Sequence, residues 1–145
     1  MKANELSCRD LMVGDWVYLP SLMSDDKYPI QVLEIQDDCI KYYCGDKKMM
    51  VGFRYIKPVP ITLEILEKNG FKPYIPEGHL ETVYACQDIS KAVADELYAL
   101  WPNPDGSFYL LLRVDGKDMV RMNVHYVHKF QHALGLCEID KNIEL

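Results

Sequence analysis

The sequence predicts an α+β protein, and three observations carry that reading. Residues up to Tyr55 read as short strands separated by polar turns, with no helical stripe. The segment Lys57-Pro58-Val59-Pro60 then interrupts the chain, because each proline removes a backbone donor and holds its predecessor extended. Beyond it the patterning is mixed, with stripes at helical spacing and a hairpin signal at Asp115-Gly116. The expected division is therefore 1–57, all β, and 58–145, α+β, with helices near 62–69, 88–101 and 124–136 and a hairpin over 107–123.

In chain order, Gly14-Asp15 is a turn leading into a strand that ends at Pro20, with Val17 and Leu19 on one side and Trp16 and Tyr18 on the other. The strand Ile30 to Gln36 meets Cys39 to Cys44 across the turn Asp37-Asp38. One register pairs Ile35 with Ile40 and Leu33 with Tyr42 inside, and Glu34 with Lys41 and Val32 with Tyr43 outside. Gly45 to Lys48 turns the chain into Met49 to Phe53, where Gly52 marks a bend. Four short strands are too few for a sandwich, and their economical closure is a small, strongly bent SH3-like barrel. Trp16, Tyr18 and Tyr43 then project outward. They form either an aromatic groove for an extended or proline-rich peptide, or a surface covered by the rest of the chain.

In the second half, Thr62 is placed to cap a short helix, Glu64 favours its positive end, and Asn69-Gly70 supplies a left-handed stop with Phe71 folding back. Residues 72–78 read as a loop and His79 to Gln87 as a strand. Ile89, Val93, Leu97 and Leu100 with Trp101 recur at helical spacing before Pro102, which predicts an amphipathic helix over 88–101. The strands flanking Asp115-Gly116 pair Leu111 with Val120, Tyr109 with Met122 and Arg113 with Asp118. Phe108, Leu110 and Leu112 fall on the other face, so this strand belongs inside a sheet. The last helix is expected from Val124 to Leu136, capped by Asn123, with an apolar stripe of Val127, Phe130 and Leu134.

Charge and motifs narrow the function. A net charge of −6 with no Lys/Arg run argues against nucleic acid as a partner. Neither an apolar leader nor a run of about eighteen apolar residues is present, so a cytoplasmic protein with no membrane partner is expected. Five cysteines without a C-x-x-C pair fit reduced thiols, and Cys39 with Cys44 reads as structural before it reads as a metal or redox pair. No phosphate-binding glycine loop and no G-x-S-x-G is present, and no cofactor is expected.

One constellation invites chemistry. His125, His128 and His132 fall at i, i+3 and i+7, on a helix face almost opposite the apolar stripe, where His128 and His132 have the spacing to chelate a zinc or nickel ion. Against this stand the missing H-E-x-x-H and a face that is expected to be open to water. The expected function is a non-enzymatic binding or adaptor protein working through protein contacts, with Trp16, Tyr18 and Tyr43 as contact residues; an oligomer is compatible with this. The alternatives are a metal-dependent enzyme or metal-binding protein built on the histidine face, and a nucleic-acid-binding accessory protein.

The opening Gly14-Asp15-Trp16-Val17, the middle Pro58-Val-Pro-Ile-Thr-Leu-Glu-Ile-Leu-Glu-Lys-Asn-Gly-Phe71 and the ending Tyr126-Val-His-Lys-Phe-Gln-His-Ala-Leu134 together resemble a group of small uncharacterised bacterial proteins associated with prophages and other mobile elements. The sequence departs from that pattern at Gly135-Leu136-Cys137 and in its longer 88–101 segment. The resemblance implies a cytoplasmic accessory protein and assigns no catalytic or binding residue.

Overall fold

The computed structural model describes residues 6–75, 80–87 and 95–145. The chain divides into two compact units, one of residues 1–59 with 126–128 and one of 60–125 with 129–145.

The first unit contains β1 (Trp16–Pro20), β2 (Lys27–Gln31), β3 (Glu34–Ile35), β4 (Cys39–Cys44), β5 (Lys47–Gly52), a 3₁₀ turn (Phe53–Tyr55) and β6 (Lys57–Pro58). They pair as two open three-stranded sheets, in the orders β2-β1-β6 and β3-β4-β5. The strand expected to run unbroken from Ile30 to Gln36 is instead bent after Gln31, and the bend is where the backbone changes sheets. Val32 N–H donates to Asp15 C=O at 2.8 Å, whereas Leu33 N–H donates to Lys41 C=O at 2.8 Å. Ile35 faces Ile40 and Glu34 faces Lys41 as the pattern requires. The expected pairs Leu33 with Tyr42 and Val32 with Tyr43 do not form, because Val32 turns into the core beside Ile30. That core comprises Leu6, Leu11, Val17, Ile30, Val32, Ile40, Tyr42, Phe53 and Ile56, so both sheets and the 3₁₀ turn share one apolar interior. Residues 126–128 join the unit through Val127 N–H, which donates to Val59 C=O at 2.8 Å.

The second unit opens with α1 (Leu63–Lys68), and its ends follow the sequence closely. Thr62 Oγ1 accepts from Ile65 N–H at 3.2 Å, filling one of the donors a helix start leaves free. At the other end Phe71 N–H reaches Leu66 C=O and Gly70 N–H reaches Glu67 C=O, with Gly70 at φ +86°. This double bond pattern needs a left-handed residue, which glycine adopts without steric cost.

Five strands follow as an antiparallel meander: β7 (Lys72–Tyr74), β8 (Val83–Ala85), β9 (Leu97–Pro102), β10 (Phe108–Val114) and β11 (Lys117–Val124). β7 occupies part of an expected loop and tolerates Pro73 because it is an edge strand. Of the strand expected over 79–87, Val83–Ala85 forms, and His79 lies outside the described residues.

The predicted helix over 88–101 is corrected at its C-terminal end. Residues 88–94 lie outside the described residues, and 97–102 form β9, paired with β8 on one side and β10 on the other. Ala99 and Leu100 are both fully buried, one on each face, and a short apolar run buried on both faces carries no periodicity to separate strand from helix.

The β10–β11 hairpin turns at Asp115 and Gly116, both at positive φ (52° and 76°), the type I′ geometry that matches strand twist. Arg113 faces Asp118 as expected. Beyond them a bulge on β11 puts Val120 opposite Leu112 and Met122 opposite Leu110, rather than opposite Leu111 and Tyr109. One extra residue, Met119, flips every later side chain to the other face and delivers Val124 into the interior.

The last helix, α2 (Val127–Leu136), starts three residues later than the Val124 expected, because Asn123 and Val124 finish β11. The buried stripe of Phe130, Ala133 and Leu134 agrees with the pattern, and Phe130 meets Phe71 edge-on at 5.6 Å between ring centroids. The chain then returns to α1. The Asn69 side chain donates to Glu144 C=O and accepts from Glu144 N–H, both at 2.7 Å, as a backbone strand would. Ile143 is buried beside it in sequence, and the Lys141 ammonium lies 5.3 Å above the Phe71 ring.

Candidate functional site

The first unit carries a groove of about 500 Å³. Its walls come from three places that the fold brings together: Leu19, Pro20 and Leu22 where the chain leaves β1, Met50, Val51 and Gly52 at the end of β5, and Arg54, Tyr55 and Lys57 of the 3₁₀ turn and β6. Each wall has a local cause. Pro20 ends β1, and Ser21 N–H then donates to Asp26 C=O at 2.8 Å while Ser21 Oγ accepts from Met23 N–H, closing a tight polar loop. In that loop Leu22 is left 90% exposed. At β5, Gly52 hands the strand to the 3₁₀ turn, whose Phe53 enters the core while Arg54 and Tyr55 stay outside.

The groove is apolar over most of its lining, with two cations. The Arg54 guanidinium lies 4.7 Å over the Tyr55 ring centroid and donates to the Tyr55 hydroxyl. Neither Arg54 nor Lys57 forms an ion pair among the described residues, whereas Lys48 is held at 2.9 Å by Glu34, whose carboxyl that ammonium keeps below its usual range. Among the described residues β5 pairs with β4 alone, so the strand that supplies one wall also presents an unpaired edge.

The residues singled out from sequence fall elsewhere. Trp16 and Tyr18 share the outer face of β1 and are half-buried, with Lys27 5.8 Å over the Tyr18 ring. Tyr43 is exposed, but on β4 of the other sheet, so the three aromatics do not form one continuous strand face. None of them lines the groove.

The histidine face is corrected. His125 precedes α2 and is not on the helix, and His128 is 1% exposed with its ring stacked on Tyr126 at 5.9 Å. His128 belongs to the first unit, His125 and His132 to the second. Among the described residues no three His, Cys, Asp or Glu side chains gather into a group able to hold a metal ion.

One turn and three scattered thiols have the residue types of catalysis without its order. Ser107 Oγ donates to Asp105 Oδ1 at 2.5 Å, and hydrogen bonds from the Ser107 side chain and backbone hold the Asp105 carboxyl below its ordinary range, with His125 adding a smaller pull. A nucleophilic triad needs imidazole between hydroxyl and carboxylate; here the hydroxyl is tied directly to a weakly basic oxygen, which locks the turn. The thiols of Cys39, Cys86 and Cys137 are pushed up by burial, so they remain protonated where a nucleophile would need the thiolate.

Sequence reasoning missed the groove because its residues are scattered over 19–57. The signals that were available are Leu22-Met23 inside an otherwise polar loop and Met49-Met50 in a turn-flanked strand, apolar pairs with no partner in the alternation. No helix of the described residues is long and apolar enough to cross a membrane. Compared with protein-family models, curated proteins and solved structures, the chain matches none of them.

Proposed function

We propose that this chain is a non-enzymatic binding or adaptor protein acting through protein–protein contacts, and that its first unit is an SH3-like barrel left open at one seam. The order of strand, loop, bent strand, hairpin, 3₁₀ turn and a short strand returning to the first supports the barrel reading, as does the single core under both sheets. The observation that carries the function is the groove. Its apolar lining is exposed at Leu22, Met50 and Tyr55, and covering one aliphatic side chain there is worth roughly 1.5–3 kcal/mol before the cost of ordering the partner. Methionine on such a surface repacks around different side chains, which suits a docking site. An accessory role of the kind the sequence resemblance implies requires such a surface and no bond-breaking machinery.

Panning a randomised linear peptide library against the immobilised chain tests this. Enrichment is expected, and it should be lost in Leu22→Asp and Gly52→Val, both of which alter the groove. Gly52 sits at φ −72°, and a Cβ there meets Tyr55 at an ordinary 3.5 Å, so valine is compatible with the backbone. No enrichment would refute the proposal. Enrichment abolished instead by Trp16→Ala or Tyr18→Ala would move the docking surface to the outer face of β1.

A further inference from the structure

The groove has a charge and a direction that together describe its occupant. We infer that it takes an extended peptide segment of a protein partner, laid along the free edge of β5, with carboxylate side chains two residues before and two residues after an apolar one, so that all three face the groove. This rests on the docking role proposed above.

Three observations converge on it. First, both charged groups in the lining, Arg54 and Lys57, are cationic, and no acidic side chain lines the groove. On a chain of net charge −6 this is a local reversal of sign, and neither cation is neutralised by an ion pair among the described residues. Second, the apolar wall from Met50 to Gly52 belongs to a strand paired on one side only. An added strand satisfies the free backbone groups there and presents alternate side chains to the groove, which is how strand addition combines affinity with selectivity. Lys47 and Lys48 guard the start of β5 against indiscriminate pairing, but Met49 to Gly52 carry no charge. Third, Gly52 carries no side chain over the groove wall, whereas a Cβ there would sit 3.5 Å from the Tyr55 ring and narrow the space left for a ligand. A second copy of this chain is the weaker occupant, because two bodies of net charge −6 repel.

The test uses three fluorescent peptides of one apolar pattern: Glu-Thr-Leu-Thr-Glu, Gln-Thr-Leu-Thr-Gln and Lys-Thr-Leu-Thr-Lys, whose first, third and fifth side chains share one strand face, with anisotropy as the readout. The glutamate peptide is expected to bind about tenfold more tightly than the glutamine peptide, with the lysine peptide weakest, and the preference should shrink as salt is added. The double variant Arg54→Gln with Lys57→Gln should abolish the preference while leaving the glutamine peptide's affinity unchanged. Leu22→Asp, at an exposed loop position that cannot unfold the core, should weaken all three. Binding should also slow hydrogen exchange at the backbone amides of β5, as an added strand requires. Equal affinity for the glutamate and glutamine peptides, still sensitive to Leu22→Asp, refutes the carboxylate requirement and leaves the docking role standing. Failure of all three to bind refutes the extended-peptide occupant; self-association through this face in their place keeps a protein-contact role with a second copy as occupant, whereas uptake of decanoate refutes the protein-docking role as well.

Discussion

The two units solve the problem of covering apolar strand faces in different ways. In the first, short strands bend around one core, and the sheets change partners between Val32 and Leu33. In the second, β7 through β11 pair in chain order, and side chains such as Leu100, Leu110 and Leu112 are fully buried, as are Phe71 and Phe130. A bent arrangement leaves strand ends splayed, so Leu19, Met50 and Tyr55 line an open groove. The meander leaves the interior strands β8, β9 and β10 paired on both sides. An open groove therefore arises where the small β module does not close on itself.

The sharpest way to break that contrast is to damage one unit and watch the other. The chain's two tryptophans make this direct, since Trp16 lies in the first unit and Trp101 in the second. Phe130→Ala removes a fully buried ring from its edge-on contact with Phe71 and should cost about 3–5 kcal/mol. In urea, the transition reported by Trp101 in a Trp16→Phe background should shift to lower denaturant, ahead of the Trp16 transition in a Trp101→Phe background. Coincident shifts would show that the units unfold as one.

Asn69→Ala should cost about 1–3 kcal/mol, because it leaves the backbone groups of Glu144 without their partner. Faster hydrogen exchange at the Glu144 amide, with β5 amides unchanged, is the expected signature. Thr62→Ala removes the cap of α1 and should lower stability by about 1 kcal/mol, with Thr62→Ser restoring it.

The smallest effect is a pH dependence. Hydrogen bonds from Arg113, then Arg121, hold the Asp118 carboxyl below its ordinary value of 3.8. A depressed carboxyl contributes stability that is present above the unfolded value and disappears as pH falls through the folded one. Asp118→Asn should therefore be less stable than the parent at neutral pH, and the difference should vanish in strong acid. A difference that persists there would place the role of Asp118 in shape rather than charge.

The elements that sequence reasoning recovered are those specified by neighbours in the chain. Thr62 and Gly70 bound α1 because capping is decided within a turn, and Asp115-Gly116 makes its hairpin because the I′ geometry needs those residue types. What escaped is decided at longer range. Leu97 to Trp101 form a strand only because β8 and β10 are available on either side; their apolar spacing alone fits a helix equally well. The slip between Leu112 and Arg113 comes from an extra residue whose advantage is burial of Val124 at the far end of the strand. His128 looked solvent-facing on a wheel drawn from Val124. It is instead 1% exposed, because it groups with the first unit and stacks on Tyr126 rather than standing on an open helix face. The groove escaped for the same reason, since Leu22, Met50 and Tyr55 become neighbours only once the strands bend.

The return of residues 126–128 to the first unit has a consequence for anyone wishing to cut this protein in two. A fragment ending at Val59 leaves that residue's carbonyl without the amide of Val127, and strips Tyr126 and His128 from the same body. Severing the chain at the double proline thus separates one unit from three residues of its own, which only the longer piece carries.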